Sequence, residues 1–104
     1  MPQVNGIFSF KDPHRVTAIF VVDEIRHIFN ANVSPPLERF TSSPAMLTYD
    51  DPTQLTSSHP CSGVIGTNMF LLNLDNGPKI VGNLNDPGLS AASNVDGIGA
   101  WEQV

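Results

Sequence analysis

The chain has 104 residues, is 40% hydrophobic and only 14% charged, and carries a net charge of −5. That is enough apolar content for a single domain over residues 1–104 and too little net charge for a disordered one. Four basic and four acidic side chains fall in residues 1–39, whereas residues 40–104 hold six acidic side chains and Lys79 alone. Nucleic acid and an anionic membrane surface are thereby excluded as expected partners, because each needs clustered Lys and Arg.

The lone cysteine, Cys61, cannot form an intramolecular disulfide. No apolar run has the length of a membrane span, and residues 1–6 lack the basic and apolar regions of a signal peptide, so the expectation is a soluble chain. Nine Asn, nine Ser, six Thr, nine Pro and eight Gly promise many turns.

In chain order, Ile-Phe-Ser-Phe at 7–10 reads as a short strand, followed by a loop over 11–15. Residues 16–22, Val-Thr-Ala-Ile-Phe-Val-Val, are dense in β-branched side chains and read as a second strand. The competing reading is a helix starting at Asp12, with Pro13 at its first position. Ala18, Val21, Val22, Ile25, Ile28 and Phe29 fall on one helical stripe, with Asp23, Glu24, Arg26 and His27 off it. The periodicity is best after Val21, so a helix is expected over 23–31, capped by Asp23 and stopped by Pro35 and Pro36. Residues 45–49 read as a strand and 53–62 as a long polar surface loop.

Residues 69–84 give the strongest local signal. Met-Phe-Leu-Leu-Asn-Leu and Lys-Ile-Val-Gly-Asn-Leu flank Asp75-Asn76-Gly77-Pro78, a hairpin around a turn cluster. Pro78 has no N–H for a ladder bond. The expected loop is therefore 75–78, with Leu74 opposite Lys79, which sets Phe70, Leu72, Leu74 and Val81 on one face and Met69, Leu71, Ile80 and Leu84 on the other. Both faces are apolar, so each needs a cover. One helix supplies one. The other must come from the 85–104 tail with Trp101, from a second layer of strands, or from a neighbouring subunit.

Three groupings could carry chemistry. On the expected helix His27 lies within reach of Asp23 and Glu24, a carboxylate–imidazole set that suits a general base. His59 and Cys61, two apart in an extended segment, point the same way and suit a metal or a nucleophile–base pair. Tyr49, Phe40 and Trp101 are candidates for a ligand or interface surface. The Asx pairs Asp50-Asp51, Asp75-Asn76 and Asn85-Asp86 offer oxygen ligands but lack the spacing of a calcium loop, and turn chemistry explains them better. No cofactor is indicated, and no complete catalytic set appears.

The fold expected from these elements is α+β: a mostly antiparallel sheet of four to six strands with one short helix packed on it. The alternative is an all-β sandwich or small barrel. The expected function is a small non-enzymatic binding or assembly module whose partner is a protein or a second copy of itself. The alternatives are a small enzyme or ligand-binding barrel with an apolar pocket holding a small molecule, and an acidic inhibitor of another protein.

Overall fold

The computed structural model describes residues 2–85 and 88–103. Eight strands form the fold: β1 (Gln3–Asp12), β2 (Arg15–Val22), β3 (Ile25–Ser34), β4 (Thr41–Thr48), β5 (Ser58–Ile65), β6 (Met69–Leu74), β7 (Lys79–Asn83) and β8 (Ser93–Gln103). They close into a barrel in the order β1-β2-β3-β8-β5-β6-β7-β4, every neighbouring pair antiparallel. The α+β expectation is therefore corrected to all-β, the architecture held as the alternative.

The chain makes this barrel twice over. Strands β1, β2 and β3 form a meander and β4 returns beside β1; β5, β6 and β7 form a second meander and β8 returns beside β5. Each is a Greek key, with its fourth strand beside its first. The keys join through β3·β8 and β7·β4, so a half-turn about the barrel axis exchanges them. Register repeats as well: Gly6, Ile7 and Ile19 of the first meander correspond to Gly63, Val64 and Leu71 of the second. A Cβ on Gly6 would run into the Ile19 carbonyl, and one on Gly63 into the Leu71 carbonyl. Both glycines stand where the wall bends too tightly for a side chain.

The expected helix over 23–31 is a strand. Asp23 (φ 52°) and Glu24 (φ 68°) form a two-residue turn with both central residues left-handed, and Val22 pairs Ile25 directly across it. This is the primed turn whose twist matches a hairpin. The apolar residues of the expected helical stripe are split by strand alternation: Ala18, Val22 and Phe29 face inward, whereas Val21 and Ile28 stand on the outer wall. Val16, Ala18, Phe20 and Val22 face inward from β2, and His27, Phe29, Ala31 and Val33 from β3.

The β6–β7 hairpin is present, one residue out of the expected register. Asn73 pairs Lys79 and Leu72 pairs Ile80. The Leu74 N–H donates to the Pro78 carbonyl (2.9 Å) and the Gly77 N–H to the Leu74 carbonyl (3.2 Å). Pro78 thus serves through its carbonyl, and Gly77 takes φ 119°. A one-residue slip turns a strand over. Ile80 consequently joins Phe70, Leu72 and Leu74 inside, while Val81 stands outside with Met69 and Leu71.

The interior is filled by side chains. Phe8, Phe20, Phe29, Phe70, Leu47, Leu72 and Ile80 are essentially inaccessible. Phe8 stacks on Phe70 at 4.2 Å between ring centroids, and Phe29 tilts against Trp101 at 4.9 Å. Leu55 closes one end of the barrel. The stretch expected as a polar loop at 53–62 is a 3-10 turn (Pro52–Gln54) capped by Asp51, followed by β5.

Candidate functional site

With the interior occupied and the sheet closed, the outer wall and the barrel ends are what other molecules can meet. Closure leaves no strand edge for an added peptide strand. Outward positions alternate with inward ones along each strand, so their neighbours follow from register. Val64 pairs Leu71, Leu71 pairs Val81, and Val81 pairs Met46, an apolar row across β5, β6, β7 and β4. Val64 is 41% exposed and Met69, next to the row, 55%; Leu71, Val81 and Met46 are half-buried. A shallow apolar depression of about 220 Å³ opens among Val64, Gly66, Met69 and Leu71. We call this face the front. The 69–84 hairpin thus has one cover, the barrel interior, and its outer face lacks one among the described residues.

The front is also nearly free of charge. The described acidic side chains lie in the end connections (Asp23, Glu24, Glu38, Asp50, Asp51, Asp75), at the close of β1 (Asp12) or on β8 (Asp96, Glu102). Among the outward side chains of β6, β7 and β4, Lys79 is the charge, paired with Asn73 on one side and Thr48 on the other, while Asn83 stands opposite Met69 at the far end of β7.

At one barrel end a polar network ties two connections together. Gln54 Nε2 donates to the Asn76 carbonyl (2.9 Å) and Asn76 Nδ2 to the Gln54 carbonyl (3.0 Å). His59 joins them, with Nδ1 3.0 Å from Asp75 Oδ1 and Nε2 2.8 Å from the Thr56 carbonyl. These bonds hold the 50–57 connection over the β6–β7 turn and seat Leu55. Alongside, a groove of about 500 Å³ passes over Pro60, Ser62 and Asn73 between Asp75 and Asp96.

The structure separates most of the residues that the sequence grouped. His27 is inside the barrel, its Nδ1–H donating to the Ile25 carbonyl (3.0 Å) and its Nε2 facing the Gln103 amide nitrogen at 3.3 Å. Asp23 and Glu24 are exposed in the turn, and neither hydrogen-bonds His27 among the described residues. The pairing rested on helical spacing, which the strand removes. His59 and Cys61 do share the inward side of β5, but His59 is engaged as above. Cys61 is buried, and desolvation, with Asp96 nearby, pushes its thiol up to about 11. Among the described residues no three His, Cys, Asp or Glu side chains converge as metal ligands. Tyr49, Phe40 and Trp101 are buried to within 7% exposure, Trp101 inside the barrel beside His27 and Phe29. Of the Asx turns, Asp51 caps the 3-10 turn through Thr53 and Asp75 holds His59, while Asp86 lies outside the described residues. The outward row had a visible signal in the sequence, the second apolar face of the hairpin. Its Val81 and Met46 members depend on register and topology.

Fold and surface together define a closed, eight-stranded double Greek-key barrel with a filled interior and an apolar outer face. Comparison with protein-family models, with curated proteins and with solved structures gives no match to this chain. No helix among the described residues is long and apolar enough to cross a membrane.

Proposed function

We propose that the protein is a non-enzymatic assembly module that binds a second copy of itself through the front wall. The observation that carries this reading is the ladder-paired row Val64–Leu71–Val81–Met46, flanked by Met69, on a wall whose only cation is Lys79 among the described outward residues of β6, β7 and β4. Exposed contiguous apolar surface of this kind marks interaction sites. Copies of a protein with net charge −5 repel one another, yet the front keeps its acidic groups out of the contact. A lipid-facing wall would need an unbroken apolar belt. Here the exposed Asn32 of β3 with Asn94, Asp96 and Glu102 of β8 form a polar sector that breaks the belt, with Ile98 and its partner Pro60 as its apolar members.

The test is sedimentation velocity over a wide concentration range, comparing the native chain with the double variant Val64→Lys, Met69→Lys. Both positions are exposed, so the fold should persist by circular dichroism. We expect a concentration-dependent mass for the native chain and a monomer for the variant. A variant that associates like the native chain would overturn the reading.

A further inference from the structure

His59 is held between two acceptors. Its Nδ1 stands 3.0 Å from Asp75 Oδ1 and its Nε2 2.8 Å from the Thr56 carbonyl. A neutral imidazole has one N–H and one lone pair, so it satisfies one of these oxygens and turns a lone pair on the other. The imidazolium, with two N–H groups, donates to both. One other neighbour can help the neutral ring. Asn76 Nδ2 lies 3.3 Å from His59 Nε2 and can donate to it, but the Thr56 carbonyl then loses its own donor.

From this geometry we infer that His59 is a proton-operated latch on the barrel end. With both nitrogens protonated it ties the 50–57 connection to the β6–β7 turn; on losing one proton it lets go of Thr56 and loosens the cover that Leu55 makes. Leu55, fully buried, sits between two ties. On one side Gln54 and Asn76 exchange two hydrogen bonds that involve no titrating group. On the other, Thr56 hangs on His59. Ser57 follows with φ 67°, a left-handed backbone that a non-glycine residue keeps only while its surroundings impose it. The Ser57 carbonyl accepts from the Trp101 N–H at 3.0 Å, which anchors the connection where it enters β5. Release is thereby confined to the segment between Gln54 and Ser57. Few charged groups surround the ring. Asp75 faces it from the β6–β7 turn. The connection presents Gln54 and Thr56, with Asp51 turned to Thr53 and Asp50 exposed. β8 sets Gly99 opposite it. On β5 Cys61 shares its side, with a thiol that stays protonated through neutral pH. The His59 side chain is 20% exposed, so solvent can exchange its proton with the barrel intact.

The Leu55 amide, which donates to the Pro52 carbonyl (3.0 Å), reads the latch by hydrogen exchange. Its protection factor is compared at about pH 5.5 and about pH 8.5, either side of the range in which histidines titrate, for the native chain, His59→Gln and Asp75→Asn. The native chain should lose about tenfold or more of this protection at the higher pH, the order expected for one hydrogen bond to a charged group. His59→Gln should show no change between the two, because the titrating ring is gone. Asp75→Asn should stay protected at both. Its amide can turn an N–H to the neutral Nδ1 or its oxygen to the imidazolium, so Nε2–H keeps Thr56 in either state. If His59→Gln is not folded by circular dichroism, the contrast between Asp75→Asn and the native chain decides alone. A native protection factor that is the same at both pH values would overturn the latch and leave His59 a fixed structural tie. A pH change that survives in His59→Gln would assign it to His14 or His27. Asp75→Asn losing protection as the native chain does would show that the clash of lone pair and carboxylate is not what opens the connection.

Discussion

Cys61 shows how one side chain reports the wall around it. It lies on the inward side of β5, 4% exposed, and burial with Asp96 nearby raises its thiol to about 11 from an ordinary 9.0. A thiol held protonated is neither nucleophile nor ligand at neutral pH. A disulfide reagent at pH 8 should therefore leave the folded protein unmodified and label it fully in denaturant; fast labelling of the native protein would contradict the placement. The linkage runs to the alkaline side. The folded state holds this proton more tightly than the unfolded one, so the contribution is complete below pH 9 and is lost as the pH rises to about 11. Asp51 behaves oppositely. The Thr53 amide, and then its hydroxyl, hold the carboxylate below its usual range. Its contribution is present above the ordinary carboxylate range and lost as the pH falls through the lowered value. Asp51→Asn should flatten the acid limb of a stability–pH profile while leaving the alkaline limb, where Cys61 titrates, unchanged.

Among the elements, the turn between β2 and β3 is the one the sequence shows least. In Asp23-Glu24 the aspartate tolerates a left-handed conformation but also reads as a helix cap, and the second position lacks the glycine that announces a primed turn. Without a clear turn signal, Val21 to Phe29 fits a helical stripe as well as it fits two alternating strands. The β-branched run at 16–22 was legible because it needed no turn, and the 69–84 hairpin because Asn76-Gly77 announces one. Its register was not, since a proline can close a loop with its carbonyl as readily as it fails to with a missing N–H. The His27 grouping with Asp23 and Glu24 rests on helical spacing, and the strand sets His27 inside the barrel with both carboxylates exposed in the turn. The turn also supplies a test of the correction. Each non-glycine residue with positive φ is strained by about 1–2 kcal/mol. Asp23→Asn with Glu24→Gly should then stabilise the protein by about 1 kcal/mol after the entropy glycine adds to the unfolded chain. That is roughly 4–8 °C in Tm for a chain of this size. A lower Tm would show that the segment does not take the left-handed turn.

At the scale of the whole molecule the question is what holds two Greek keys together as one barrel. The strand ladders β3·β8 and β7·β4 do so at the wall. Inside, Phe8 of β1 stacks on Phe70 of β6, so one ring from each key meets the other across the interior at 4.2 Å. Both are within 1% of complete burial. Removing either ring leaves a cavity in a close-packed interior, at about 3–5 kcal/mol for Phe→Ala. Set against a total of about 5–15 kcal/mol for a domain of this kind, either change uses a large part of the stability. Phe8→Leu and Phe70→Leu are the better probes, because they keep apolar volume and remove the stacked pair. Each should lower the denaturant midpoint without changing the slope, and together they should cost less than the sum of the two. The shortfall, about 0.5–3 kcal/mol for residues in contact, is the coupling between the keys. A shortfall within error would mean that the rings do not communicate and that the wall ladders alone join the halves. Two separate unfolding transitions in either single variant would go further and show that each key is a cooperative unit in its own right.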